Sequence, residues 1–216
     1  CLGVPTSQTL SIIETAEELQ RNDEPSPTRS AVLVRRSNSH IRIGTFQRLK
    51  YFNEYDKIAL LLNHLNENYF TNLKSKKNIK ILAENIFLES VKRIAESMGR
   101  IVIAGFVHGV LNTDNFNVTG EVFDYGPWRF IEFANTSFTA AYFDNNGRYS
   151  FGRQPEAALW ALTQLGKSLD EFIEEKKIIE ILHQFSKSFH ESLKKHFCWR
   201  MGIQDIDSKN LNEIMT

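Results

Sequence analysis

Three oxygen-bearing side chains stand close together in HGVLNTDNFNVTGEVFDYGP, residues 108–127: Asp114 and Asn115 side by side, and Asp124 nine residues after Asn115. Magnesium takes hard oxygen ligands, few of them from protein, with waters and phosphates completing the shell. One amide oxygen (Asn115) and one carboxylate (Asp124) from neighbouring loops meet that demand. Taken alone, the same residues read better as a solvated turn, with Asp124 opening an Asx turn into Tyr-Gly-Pro. Arg35 and Arg42 add guanidinium forks that match phosphate oxygens in pairs. Their spacing by itself favours two surface arginines, and Arg36 beside them reads as solvated.

The elements that must position these residues follow from pattern. Thr9 to Arg21 is ambiguous: ETAEELQ has helical composition, whereas LSII reads as strand. Residues 23–28, DEPSPT, form a polar, proline-rich loop. Ala31 to Val34 is expected as a short, buried, β-branched strand. Ser37 to His40 is a turn, and Ile41 to Phe46 runs extended before handing over to helix. From Tyr51 to Phe70, Ile58, Leu61, Leu62, Leu65 and Tyr69 fall at helical spacing. A second long helix starts at Ile79, with Ile81, Leu82, Ile86, Phe87, Val91 and Ile94 on one stripe. The pattern carries that helix to Met98, and Ile101 to Ala104 alone would read as strand. Residues 117–123 form a short hairpin. Residues 133–152 are irregular, with a turn at Asn145-Asn-Gly147. Glu156 to Leu165 is helical behind Pro155, and Leu169 to Phe197 is one amphipathic helix or two. Phe130, Phe133, Phe138, Phe143 and Phe151 are expected in the core.

A His-Gly opening, an Asn seven residues on and a later Asp-x-Gly has the layout of a protein-kinase-like catalytic loop followed by a metal loop. Only that layout makes Ile101 to Ala104 the end of the long helix before the loop. The usual loop places its base two residues after the His. Here that position is Val110, which accepts no proton. HGVLNTDN, then DYGPWRF, then FGRQPEAALWAL, with LGVPT (Leu2 to Thr6) and SAVLVRRSNSHIRIGTFQ (Ser30 to Gln47) upstream in the same order, resemble the SelO family of kinase-fold protein adenylyltransferases. The resemblance covers roughly residues 1–165.

That resemblance implies an α+β, mainly helical, protein-kinase-like fold. It would comprise chiefly the C-lobe with part of the N-lobe and junction strands, divided as 1–48, 49–202 and a tail 203–216. It implies magnesium-dependent transfer of AMP from ATP to Ser, Thr or Tyr hydroxyls of protein substrates, manganese being an alternative metal. Asp114 then matches the family's proposed base, Asn115 and Asp124 its metal ligands, and Arg35 and Arg42 the arginines that hold nucleotide phosphates. A carboxylate beside a cation orients a hydroxyl more readily than it takes the proton, and Asp114 carries that qualification. His108 reads as a structural residue. Arg153 and Gln154 read as locking the loop to the following helix rather than lining the substrate side. Small-molecule phosphotransferases of the aminoglycoside-kinase type carry an Asp where Val110 stands, which speaks against them. No glycine-rich loop and no strand lysine with a helix glutamate lie upstream of Arg35. The chain, beginning at Cys1, therefore reads as the middle of a longer protein. A catalytically inactive remnant or a binding-only pseudoenzyme is the alternative for these residues alone.

Composition narrows the field. A 42% hydrophobic content with 16 Phe in 216 residues supplies a core for one large domain. Basic and acidic residues balance at 26 each, so charge gives no case for nucleic acid or an anionic membrane. The apolar run at Ile101 to Phe106 is far short of a membrane span, and no signal peptide is visible. Two cysteines, Cys1 and Cys198, argue against a disulfide framework or a Cys-ligated zinc site and suit the cytoplasm. Asn117-Val-Thr and Asn135-Thr-Ser match the glycosylation pattern by chance.

Overall fold

In the computed structural model, residues 3–20, 26–73, 78–122 and 126–207 are described. In chain order they form strands β1 (Gln8–Leu19) and β2 (Thr28–Arg36), then helices α1 (Ile43–Tyr51), α2 (Tyr55–Asn68) and α3 (Ile79–Ala104). Two two-residue strands follow, β3 (Phe106–Val107) and β4 (Arg129–Phe130). Helices α4 (Gln154–Ser168), α5 (Glu175–Leu182) and α6 (Gln184–Met201) complete the order. The chain is thus mixed α/β and mainly helical.

Helix α3 is the axis of the core. Apolar residues occupy most of its circumference, and Leu82, Ile86, Phe87, Val91, Ile94, Met98 and Ile101 are each at most 2% exposed. A helix buried on nearly all sides must be surrounded, and α2, α4, α5 and α6 all pack on it. Its start is set by Asn78, whose side chain accepts from the Lys80 and Ile81 N–H groups. It stops at Gly105, whose left-handed backbone (φ 68°) ends the helix and turns the chain into β3. Residues 101–104 are therefore helical, and the length of α3 carries the chain directly to the His108 loop. Ile81, expected on the stripe, is instead 48% exposed. The helical stretch expected from Tyr51 to Phe70 breaks at residues 52–54, where Asn53 adopts φ 57°. Tyr51 ends α1 and α2 begins after the break. The region 169–197 resolves into a turn and two helices, α5 and α6.

The first 36 residues differ more from expectation. The ambiguity at Thr9 to Arg21 resolves to strand over Thr9 to Leu19, because β1 pairs antiparallel with β2 from Gln8 opposite Arg36 to Leu19 opposite Thr28. Ala31 to Val34 is strand but not buried: Val32 is 54% and Leu33 44% exposed. The reason is geometric. Among the described residues β1 and β2 form a two-stranded sheet, and its apolar residues Leu10, Ile12, Ile13 and Val34 are exposed as well. The phenylalanines also depart from expectation. Phe151 is buried, but Phe130, Phe133 and Phe143 are all more than half exposed. Phe133 and Phe143 lie in irregular chain and Phe130 in a two-residue strand, so no sustained helical or strand period directs these side chains inward.

Across the α3–α6 contact, His196 of α6 faces Glu96 and Arg100 of α3, with Lys195 on its own helix. Burial, then Arg100 and Lys195, push its pKa below the ordinary histidine value, while Glu96 opposes the shift. Its Nε2 is buried with no hydrogen-bond partner. The unfolded chain therefore takes up this proton first as pH falls. The neutral ring's contribution is complete above the unfolded value of about 6.5 and is lost below it. The urea midpoint should fall between pH 7.5 and pH 5.5, and His196→Gln should reduce that fall. An identical pH dependence in both proteins would remove His196 as the cause.

Candidate functional site

The segment after α3 is pinned from behind by one side chain. Gln154, fully buried at the start of α4, accepts from the His108 N–H through Oε1 at 3.0 Å. Its Nε2 donates to the Phe106 carbonyl at 2.9 Å. The FGRQPE segment therefore locks the loop to the helix, and Arg153 is engaged in an exposed ion pair with Glu156. His108 is itself fully buried, and its Nδ1 accepts from the Val110 N–H at 3.3 Å. In that state the ring braces the loop. Val110 occupies the place two residues on, as the sequence required.

The turn beyond is built by asparagines. Asn112 Oδ1 accepts from the Asp114 N–H at 2.9 Å, an Asx turn that presents the Asp114 side chain to solvent. Asn115 is buried (8% exposed), and its Nδ2 donates to the Val110 carbonyl at 2.6 Å. That bond fixes which end of the amide is free: among the described residues, nothing donates to Asn115 Oδ1. The expected hairpin follows, Phe116 bridging Val122 and the Asn117 N–H meeting the Glu121 carbonyl.

Helix α1 is delivered to this loop by backbone hydrogen bonds. The Ile43 N–H donates to the Phe116 carbonyl (3.0 Å) and the Gly44 N–H to the Thr113 carbonyl (2.9 Å). Two of the four donors that a helix start leaves unpaired are thus satisfied by the loop itself. This is why α1 begins at Ile43, earlier than the extended stretch expected through Phe46. Arg42, the residue preceding α1, is half-buried and pairs its backbone with Asn117. The turn before it is tied down as well. Asn117 Nδ2 donates to the Ser39 carbonyl (2.7 Å), and Asn38 Nδ2 donates to the buried Glu121 carboxylate (3.0 Å). Thr119 also donates to Glu121.

Of the residues singled out from sequence, Arg42, Asp114 and Asn115 are therefore brought together around the α1 start. Asp124 lies outside the described residues. Its described flanks both reach the loop: Val122 pairs with Phe116, and a Cβ added at Gly126 would stand 3.3 Å from Val110 Cγ2. Arg35 is half-buried in β2, opposite Thr9. Thr6, three residues before Thr9, bridges Val122, so Thr9, the residue opposite Arg35, is about 10 Å of chain from that hairpin, with Arg35 one strand further across. Asn38, Asn112, Asn117, Glu121 and Gly44 were given no role by the sequence reading. The signal for Gly44 was present in RIGTF, directly after Arg42. A groove of about 490 Å³ lies elsewhere, where residues 131–136 meet the C-terminal ends of α3 and α6, and no residue of this site lines it.

The arrangement offers one oriented amide oxygen, one exposed carboxylate and a basic residue at a helix start. Those are the parts of a site for a magnesium-bound phosphate compound. Among the described residues no group of three or more His, Cys, Asp or Glu gathers as a metal cluster. A magnesium site completed by phosphates and water does not need one. No helix of the described residues is long and apolar enough to cross a membrane.

The profile of the family described as "Protein adenylyltransferase SelO" matches residues 1–216. The chain is 45% identical over 202 residues to the protein nucleotidyltransferase YdiU of Synechocystis sp. (strain ATCC 27184 / PCC 6803 / Kazusa), covering 94% of this chain and 42% of that protein. It is 42% identical over 215 residues to YdiU of Trichormus variabilis (strain ATCC 29413 / PCC 7937), covering 100% of this chain and 44% of that one. To YdiU of Gloeobacter violaceus (strain ATCC 29082 / PCC 7421) it is 51% identical over 154 residues, 71% of this chain and 31% of the other. The chain thus spans less than half the length of these curated relatives.

Proposed function

This chain belongs to the SelO protein adenylyltransferase family, and we propose that it carries the catalytic-loop side of a kinase-like site that transfers AMP from ATP to Ser, Thr or Tyr hydroxyls of protein substrates. The observation that carries the reading is the backbone pairing that brings the segment after Arg42 onto the loop bearing Asp114 and Asn115, in which Val110 replaces the kinase base. We keep residues 1–48 as the lobe-junction segment and 49–202 as the helical lobe, with α1 crossing between them. The cytoplasmic assignment rests on cysteine usage; Cys198 is free and buried.

In this reading Arg35 and Arg42 hold phosphate oxygens through charge-assisted hydrogen bonds. Asn115 and Asp124 hold magnesium, or manganese in its place, which when bound offsets the charge of the phosphates. Asp114 accepts a hydrogen bond from the substrate hydroxyl and orients its oxygen toward the α-phosphorus. The new bond joins that oxygen to the α-phosphorus. The bond from the α-phosphorus to the bridging oxygen breaks, pyrophosphate leaves, and the hydroxyl proton passes to the Asp114 carboxylate. Positioning and charge stabilisation supply most of the acceleration in reactions of this kind.

The test is the position of the label. With magnesium, the complete protein should transfer label from ATP labelled on the α-phosphate to protein, and none from ATP labelled on the γ-phosphate. Transfer of the γ-label would establish a phosphotransferase and refute the proposal.

A further inference from the structure

We propose that Gly44 is a positioning residue for Asp114: the absence of a side chain in the first turn of α1 is what lets the Asp114 carboxylate lie where the reaction needs it. This rests on the reading of Asp114 given above. Asp114 is exposed, and the hydrogen bond recorded for it is the one made by its backbone N–H. Nothing in its own turn holds the carboxylate. What holds it is contact with α1. A Cβ built on Gly44 would overlap Asp114 Oδ1 and stand 3.0 Å from Cγ and 3.6 Å from Oδ2. The carboxylate thus rests on the bare Cα of Gly44, at the positive end of a helix, where negative charge is favoured. The Gly44 N–H bonded to the Thr113 carbonyl keeps the two backbones in register at the same point.

The consequence separates fold from function. Gly44 does not need glycine for its backbone, since its φ is not among the positive ones. Alanine is also the better helix former. The atom in the way is the tip of a solvent-exposed side chain, which can turn aside at little cost. Gly44→Ala should therefore leave the fold intact and swing the carboxylate out of line. A displacement of about 1 Å in a reacting group costs on the order of 10²-fold in rate.

The experiment is a double-mutant cycle in the complete protein, read by transfer of α-phosphate label, by ATP affinity and by thermal melting. Gly44→Ala and Asp114→Ala should each lower kcat about 10²-fold. ATP affinity should stay within about twofold and the Gly44→Ala melting temperature should be unchanged or higher. The double variant should lose no more than Asp114→Ala alone, because Gly44 acts only through that carboxylate. Wild-type kcat in Gly44→Ala beside a disabled Asp114→Ala would overturn the inference and leave the function standing. Additive losses in the double variant would also overturn it. An unimpaired Asp114→Ala, or no label transfer by the wild type, would overturn the functional reading and this inference with it.

Discussion

Asn115→Ala in the complete protein should lower AMP transfer by about 10²–10³-fold, the scale for losing one charge-stabilising group from a preorganised site. The reason lies in how the amide is held. Its Nδ2 is committed to the Val110 carbonyl, so the oxygen has one orientation and is free of donors among the described residues. Asn115→Asp keeps an oxygen there but turns a donor into an acceptor against a carbonyl, so it should be impaired too. Raising magnesium should rescue Asn115→Asp more than Asn115→Ala, because only the former retains a ligand. Circular dichroism and melting establish that the variants remain folded. Transfer by Asn115→Ala within about threefold of wild type would remove Asn115 from the metal site.

The largest stability effect is expected at Gln154. Gln154→Leu keeps the size of the side chain but deprives the buried His108 N–H and the Phe106 carbonyl of their partner. Each buried group left unpaired costs about 1–3 kcal/mol, so the pair costs about 2–6 kcal/mol. Domains of this size are stable by about 5–15 kcal/mol, so the loss is a large fraction of the total. Gln154→Glu keeps an acceptor for His108 but sets a carboxylate oxygen against the Phe106 carbonyl and buries a charge, so at neutral pH it should be no more stable than Leu. Denaturant midpoints of the three proteins check the order. A Leu variant as stable as wild type would show that water or a shifted backbone satisfies both groups.

Residue types alone left the chemistry of this site open. An Asn and two Asp in one short span read as a solvated turn or as a hard-metal site, and the ordered blocks that resemble the SelO family favoured the second reading. Helix α3 was legible locally up to its last turn. Its apolar residues recur at the helical period, a signal that acts within a few residues along the chain, whereas residues 101–104 alone read as strand. What was open or misread falls where the deciding partner is distant. ETAEEL, ambiguous by pattern, is strand because residues 28–36 pair with it. The β2 apolar residues stayed exposed because, among the described residues, the ribbon has two strands alone, which a single strand's pattern cannot reveal. The start of α1 was displaced by carbonyls of residues 113 and 116, about seventy positions away. The same long contact gives Gly44 its place under Asp114. Sequence by itself determined which oxygen-bearing and cationic side chains the chain carries. Tertiary structure decided that the segments bearing Arg42, Asp114 and Asn115 meet at the start of α1, because backbone pairing and side-chain packing between remote segments carry no local period.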